Sequence, residues 1–381
     1  MNYIYLDDAA TTRVDKRVKK VMNKFLSDKF GNPSSPHKKG KEVKKHLKKA
    51  RKETANLINA HRDEIIFTSG GTEADNLAIK GTMRENEGNH LITTKIEHPA
   101  VYETCEFLEE NGYDVTFLDV DENGFVNLDE FQCAIREDTV LASIMYANNE
   151  IGTIEPIKEI GEIANENDVI LHTDAVQAVG KVPIDIKNEN IDLLSLSGHK
   201  FHGPKGIGAL YTSSKINIQP IIHGGGHENG LRSGTENIPG IMGLKKACEI
   251  AQKEMENDIE KMEKYRDELI GEILDKTERS YLNGPKEDRL PNNANFTFED
   301  VDGDALVLQL DSHGIAGSTG SACSTTEVKP SRVLLSLGLD EDQAFSSLRL
   351  TLSKFTEEKE IEKAIEIVPE VVSSLRGMTG I

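Results

Sequence analysis

Compact apolar runs at 65–68, 90–96, 114–118, 140–146, 169–173, 191–196 and 207–211 are too short for helices and read as buried strands. Helical segments lie between several of them. This alternation predicts an α/β fold, a mostly parallel seven-stranded sheet wrapped by helices, and such sheets collect ligands at their strand ends. After residue 241 the pattern changes. From 247 to about 276, Ala251, Met255, Ile259, Met262, Leu269 and Ile273 recur at helical spacing among many charges, as in a long amphipathic helix spanning two domains. The remainder, with Asn295-Phe296-Thr297-Phe298, 305–310 and Leu348-Arg349-Leu350-Thr351-Leu352, reads as a smaller α+β domain that the N-terminal residues join. The expected division is a large domain over 13–250 and a small one over 1–12 plus 251–381.

Length and charge narrow the function. With 381 residues the chain can bury two cores, and a formal net charge of -20 argues against nucleic acid, whose phosphates need a basic surface. One stretch runs the other way: Lys and Arg fill most of 38–52, while Val43, Leu47, Ala50 and Ala55 keep an apolar edge. It reads as a solvated helix face, with partner docking as the alternative. No apolar run is long enough to span a membrane, and the N-terminus resembles neither a signal nor a transit peptide, so the cytoplasm is the expected location. The four cysteines form no C-x-x-C pair, which suits a reducing compartment. Cys105, Cys133 and Cys248 stand in helix-like apolar surroundings and are expected to pack. Cys323 lies instead in Ala316-Gly317-Ser318-Thr319-Gly320-Ser321-Ala322-Cys323-Ser324-Thr325-Thr326, a run of small residues without the bulky side chains that bury a thiol.

The candidate chemistry sits where strands end. In Leu196-Ser197-Gly198-His199-Lys200 a strand breaks at a Ser-Gly pair and presents a lysine; in Leu171-His172-Thr173-Asp174 another ends in an aspartate. An amine and a carboxylate so placed are what a Schiff-base enzyme needs, the carboxylate serving the pyridinium nitrogen of pyridoxal phosphate. Ser69-Gly70-Gly71-Thr72-Glu73 turns a strand into a helix, leaving backbone N–H groups free for a phosphate. His98 and Asn149 also follow predicted strands. His199-x-x-His202 and His223-x-x-x-His227 have ligand-like spacing, but three glycines break the second pair's helix, and no metal is expected.

Ten short motifs in order then carry a resemblance: Tyr5-Leu6-Asp7-Asp8-Ala9-Ala10-Thr11-Thr12, Gly31-Asn32-Pro33-Ser34-Ser35, Thr68-Ser69-Gly70-Gly71-Thr72-Glu73, Glu97-His98-Pro99-Ala100, Asn148-Asn149-Glu150-Ile151-Gly152-Thr153, the two strand ends above, Arg232-Ser233-Gly234-Thr235, Gly320-Ser321-Ala322-Cys323 and Ser347-Leu348-Arg349. Together they resemble the class V aminotransferase group of fold-type I pyridoxal phosphate enzymes, and within it the cysteine desulfurases of iron–sulfur cluster assembly. The resemblance implies that Lys200 binds the cofactor covalently and moves the substrate Cα proton. Asp174 would hold the ring nitrogen, Gln177 donate to the phenolic oxygen, and His98 stack on the ring. Gly71, Thr72, Ser197 and His199 would seat the phosphate, with Thr235 reaching in from the second subunit of a homodimer. Asn149 and Arg349 would bind the carboxylate of L-cysteine. Cys323 would take the sulfur as a persulfide and pass it to an iron–sulfur scaffold or sulfur carrier. A selenocysteine lyase or cysteine C–S lyase of the same fold is the alternative, and the Cys323 run favours the desulfurase.

Overall fold

The computed structural model describes residues 3–319 and 329–379, so Cys323 lies outside the described residues. After β1 (Ile4–Tyr5), seven strands form one sheet: β2 (Ile65–Thr68), β3 (His90–Thr94), β4 (Asp114–Leu118), β5 (Thr139–Ser143), β6 (Ile170–Asp174), β7 (Leu193–Ser197) and β8 (Gly208–Thr212). Their order is β2-β8-β7-β6-β5-β3-β4, and β8 alone runs against its neighbours. Each strand feeds two cores, which is why the apolar runs do not alternate. Leu193 and Leu210 join the cluster of Ala74, Leu77 and Val101 on one face, while Leu194, Leu196 and Ala209 join that of Val43, Leu47 and Leu244 on the other.

Helices α1 (Lys16–Leu26), α2 (Lys38–Asn56), α3 (Gly71–Glu85), α4 (Pro99–Glu110), α5 (Leu128–Ala134) and α6 (Ile157–Glu166) accompany the sheet. On α2 the apolar edge is buried through Val43, Leu47 and Ala50, while Lys44, Lys45, Lys48 and Lys49 are exposed. Cys105 and Cys248 are buried, as expected. Cys133 is not: on the short α5 only Phe131 turns inward, and the thiol two residues later faces solvent.

The long helix, α7 (Ile238–Lys276), starts nine residues earlier than its periodicity suggested. Asn237 caps it by accepting from the Gly240 N–H, and Pro239 fits its first turn, so the start signal is Asn-x-Pro rather than an apolar stripe. At 39 residues it is about 58 Å long. Ile241, Leu244 and Ala247 pack into the core of the large sheet, whereas Leu269 and Ile273 pack into a separate one. That second core is built by β9 (Ser280–Leu282), β10 (Asn293–Phe298), α8 (Gly303–Ser312), β11 (Ile315–Ala316), β12 (Ser347–Thr351) and α11 (Glu358–Thr379), and Ile4 and Leu6 belong to it through the parallel pairing of β1 with β11, while α9 (Arg332–Ser336) and α10 (Glu341–Phe345) pack Val333, Leu334 and Ala344 against Ile96, Met145 and Ile151 instead. Strands β12, β10 and β9 form an antiparallel sheet there. Among the described residues no helix is long and apolar enough to cross a membrane.

Candidate active site

Because β2, β3, β5, β6 and β7 all point the same way, their C-terminal ends share one edge of the sheet, and a cavity of about 230 Å³ lies against that edge. Asp174 is the last residue of β6, level with Ser195 of β7. Lys200 ends a single 3₁₀ turn that follows β7. Gly71 and Thr72 start α3 directly after β2, and His98 caps α4 after β3. Asp174, Gln177, Ser197, His199, Lys200, Gly71, Thr72, His98 and Asn149 all line this one cavity.

Burial sets the charges at its deep end. The Asp174 carboxyl accepts from the Val176 N–H at 2.9 Å, and desolvation pushes it above the usual carboxylate range, against the pull of His98 and Lys200. Desolvation and the neighbouring Arg349 lower the Lys200 amine to about 8, with Asp174 and Asp7 opposing, so an appreciable share is unprotonated and nucleophilic near neutrality. Lys200 donates to the Ala9 and Ala10 carbonyls, so the N-terminal segment straps the amine in place. His98 is held neutral by burial; its Nδ1 accepts from the Ala100 N–H at 3.1 Å, which leaves its proton on Nε2.

The other end is made for an anion. Gly70 offers no side-chain cap to α3, so the first N–H groups of that helix are left for a ligand, with the dipole favouring negative charge. A Cβ on Gly71 would stand 2.7 Å from Cγ2 of Val176, so only glycine fits this wall. Ser197 and His199 border it, and burial beside Lys200 holds the His199 imidazole down at about 4, hence neutral. Its carbonyl accepts from the Thr12 N–H and hydroxyl, tying the same strap to the turn after β7.

Two predicted site residues stand apart in a single chain. Arg349 on β12 donates to the Asn149 carbonyl at 3.0 Å and pairs with Asp7 at 2.9 Å, while its buried Nε has no hydrogen-bond partner among the described residues. It is therefore next to Asn149 but engaged by an internal acid. Thr235 lines a different cavity, with Ser69, Gly206 and Arg232.

The sequence matches the aminotransferase class-V family over residues 4–364. The chain belongs to that family. It is 51% identical to the cysteine desulfurase IscS of Methanosarcina thermophila over 99% of this chain and 93% of that one, and 50% identical to the cysteine desulfurase IscS of Clostridium botulinum over 99% and 96%. Among solved structures, a NifS-like protein superposes with a TM-score of 0.92 at 38% identity, covering 98% of this chain and all of that one. SspA in complex with cysteine superposes with 0.81 at 39% identity, covering 93% of this chain and all of that one.

The cofactor of a class-V aminotransferase is pyridoxal phosphate, and the cavity's donor set suits it: a carboxylate for a ring nitrogen, an amine for an aldehyde, a neutral anion seat for a phosphate. Sequence reasoning missed two more groups of this wall. Asp75 is 1% exposed, its Oδ1 lacks a hydrogen-bond partner among the described residues, and burial together with Asp174 raises its carboxyl well above the ordinary range. Its signal was a carboxylate on the inward face of α3, between Ala74 and Leu77. His172 lies behind it, 3.7 Å from Asp75 and bonded to the Ser143 and Ser195 hydroxyls; desolvation alone lowers its imidazole to about 3.

Proposed function

We propose that the protein is a cysteine desulfurase: it converts L-cysteine to L-alanine and leaves the sulfur on Cys323 as a persulfide, for passage to an iron–sulfur scaffold or a sulfur-carrier protein. The reading is carried by one juxtaposition, the Lys200 amine and the Asp174 carboxyl facing a single cavity that ends at an uncapped helix start. Relatives named cysteine desulfurase IscS at about half identity over nearly the whole chain support the choice of reaction. Bound pyridoxal phosphate supplies the electron sink for cleavage at the substrate.

The chain's own residues then have these tasks. Lys200 would anchor the cofactor through its aldehyde and would move the proton at the substrate Cα, for which an amine near 8 suits neutral pH. Asp174 keeps the ring nitrogen protonated, and that cation in turn stabilises the buried carboxylate. His98, neutral and with its proton on Nε2, would stack on the ring. Gln177 donates to the phenolic oxygen. Gly71, Thr72, Ser197 and His199 hold the phosphate, joined by Thr235 of a second subunit, so the working unit is a homodimer. Asn149 and Arg349 take the substrate carboxylate, the guanidinium exchanging its bond to Asp7 for the ligand's. Cys323, as thiolate, attacks the substrate sulfur: an S–S bond forms, the C–S bond breaks, and hydrogen replaces sulfur on the carbon. Residues 13–250 form the cofactor domain, and 1–12 with 251–381 the domain that carries Cys323; the cytoplasm is the setting. The test is intact-mass analysis after incubation with L-cysteine. One added sulfur on the wild-type chain, absent from Cys323→Ser, with alanine as co-product, is expected; pyruvate and free sulfide without the adduct would overturn the reading.

A further inference from the structure

Lys181 is 6% exposed and lies one helical turn's spacing beyond Gln177, in a loop rather than a helix. Its ammonium donates to the Gln177 carbonyl at 2.7 Å and to Gln177 Oε1 at 3.0 Å. On the other side, Gln177 Nε2 donates to the Ala9 carbonyl at 3.0 Å, the carbonyl that also takes Lys200. A glutamine amide can face either way, but here both neighbours dictate one orientation, since an ammonium only donates and a carbonyl only accepts. The amide nitrogen has two protons and Ala9 uses one; the other remains for the cavity that Gln177 lines.

From this we infer that Lys181 is a positioning residue: it locks the Gln177 amide with its N–H toward the cavity, and thereby sets how strongly the phenolic oxygen of the cofactor is stabilised. The inference rests on the proposed contact between Gln177 and that oxygen. Burial and Lys200 lower the Lys181 amine to about 7, with Asp8 opposing, and burial raises the Asp8 carboxyl itself to about 7, so Lys181 is an ammonium on the acid side of neutrality. Lys200, His199 and His202 are the other titratable groups that feel its charge. Lys181, Asp8 and Lys200 also line a small second pocket of about 30 Å³.

The test reads the pH midpoint of the bound cofactor's visible absorption band in a double-mutant cycle. A donor to the phenolic oxygen makes it less basic, so losing the donor raises the midpoint. Lys181→Met should raise it by about one pH unit, the order of one charge-assisted hydrogen bond. Lys181→Gln, which can still donate to Gln177 but carries no charge, should move it less than half as far. In a Gln177→Leu background Lys181→Met should add almost nothing. An equal shift with and without Gln177, or equal shifts for Met and Gln at 181, would mean that the lysine acts only by its charge and would overturn the inference. So would no shift in Lys181→Met, and Lys181→Gln carries the same test if the Met variant does not fold. If Gln177→Leu alone leaves the midpoint in place, the contact between Gln177 and the cofactor fails instead, whatever the lysine variants do.

Discussion

At one end of the cavity the groups that face a ligand are a helix start and uncharged side chains: Gly71, Thr72, Ser197 and the neutral His199. At the other they are an amine, a neutral histidine and two buried acids, Asp174 and Asp75. The contrast follows from what each half of the cofactor demands. A phosphate is charged at any working pH, and backbone dipoles hold it without any protein charge. A ring nitrogen must be kept protonated, which takes an ionised partner, and an ionised partner in a dry wall has to be stabilised by the ligand itself. The anion end is therefore complete without cofactor, while the ring end is electrostatically unfinished.

The sharpest break comes from the amine. Lys200→Ala should lose the covalent cofactor attachment trapped by borohydride and reduce alanine formation by roughly ten thousandfold, the upper range for one acid–base group. Equal borohydride labelling of variant and wild type would refute the assignment. Asp174→Asn is the next test, and here the two states of the protein should respond in opposite directions. It keeps the volume and removes the charge, so alanine formation should fall by about a hundredfold or more. The cofactor-free protein should melt higher, because a desolvated carboxyl is gone. A lower melting temperature without cofactor would contradict the unfinished ring end.

The anion end is tested by shape. Gly71→Ala places a methyl 2.7 Å from Cγ2 of Val176, and overpacking of that kind should weaken cofactor binding about tenfold, read by titrating cofactor-free protein. Val176→Ala removes the opposing methyl, so the double variant should recover most of the loss. Failure of that recovery would mean that the helix start, not the wall, is what glycine serves.

The ring end was more legible in the sequence than this symmetry suggests. Asp174 and Lys200 each close an apolar run, and a titratable residue after such a run can only emerge at a strand end. His98 and Asn149 follow the same rule, which is also why the seven strands themselves could be read. Gly70-Gly71 carried little by itself, because the same pair serves ordinary turns; only the strand before and the helix after gave it meaning. What stayed hidden depends on long-range packing. Asp75 looks like any polar residue of a helix until α3 is laid on the sheet. Lys181 looks like a surface loop lysine until the strap of residues 9–12 closes over Gln177 and Lys200. The α7 start was missed for a local reason, a cap that no apolar periodicity marks.

The smallest effect separates a functional buried acid from a merely buried one. Glu155 is remote from the cavity lining, accepts from the Val126 N–H at 3.1 Å, and leaves Oε1 without a hydrogen-bond partner among the described residues. Burial raises it to about 8. Its folded state thus holds a proton that the unfolded chain, ionising near 4.3, releases. Between those values the folded state binds more protons, so stability is greatest at the acid side and falls as pH rises, by at most about 1.4 kcal/mol per unit, until pH 8. Glu155→Gln should flatten the decline in melting temperature between pH 6.5 and 8 by that one proton, and should do so equally with and without pyridoxal phosphate. Asp174→Asn should change the pH dependence of the melting temperature above the ordinary carboxylate range, and only in the cofactor-free protein, since a ring cation would keep Asp174 ionised. If cofactor leaves the Asp174 contribution as unchanged as that of Glu155, then no cation faces Asp174, and the two acids differ only in address.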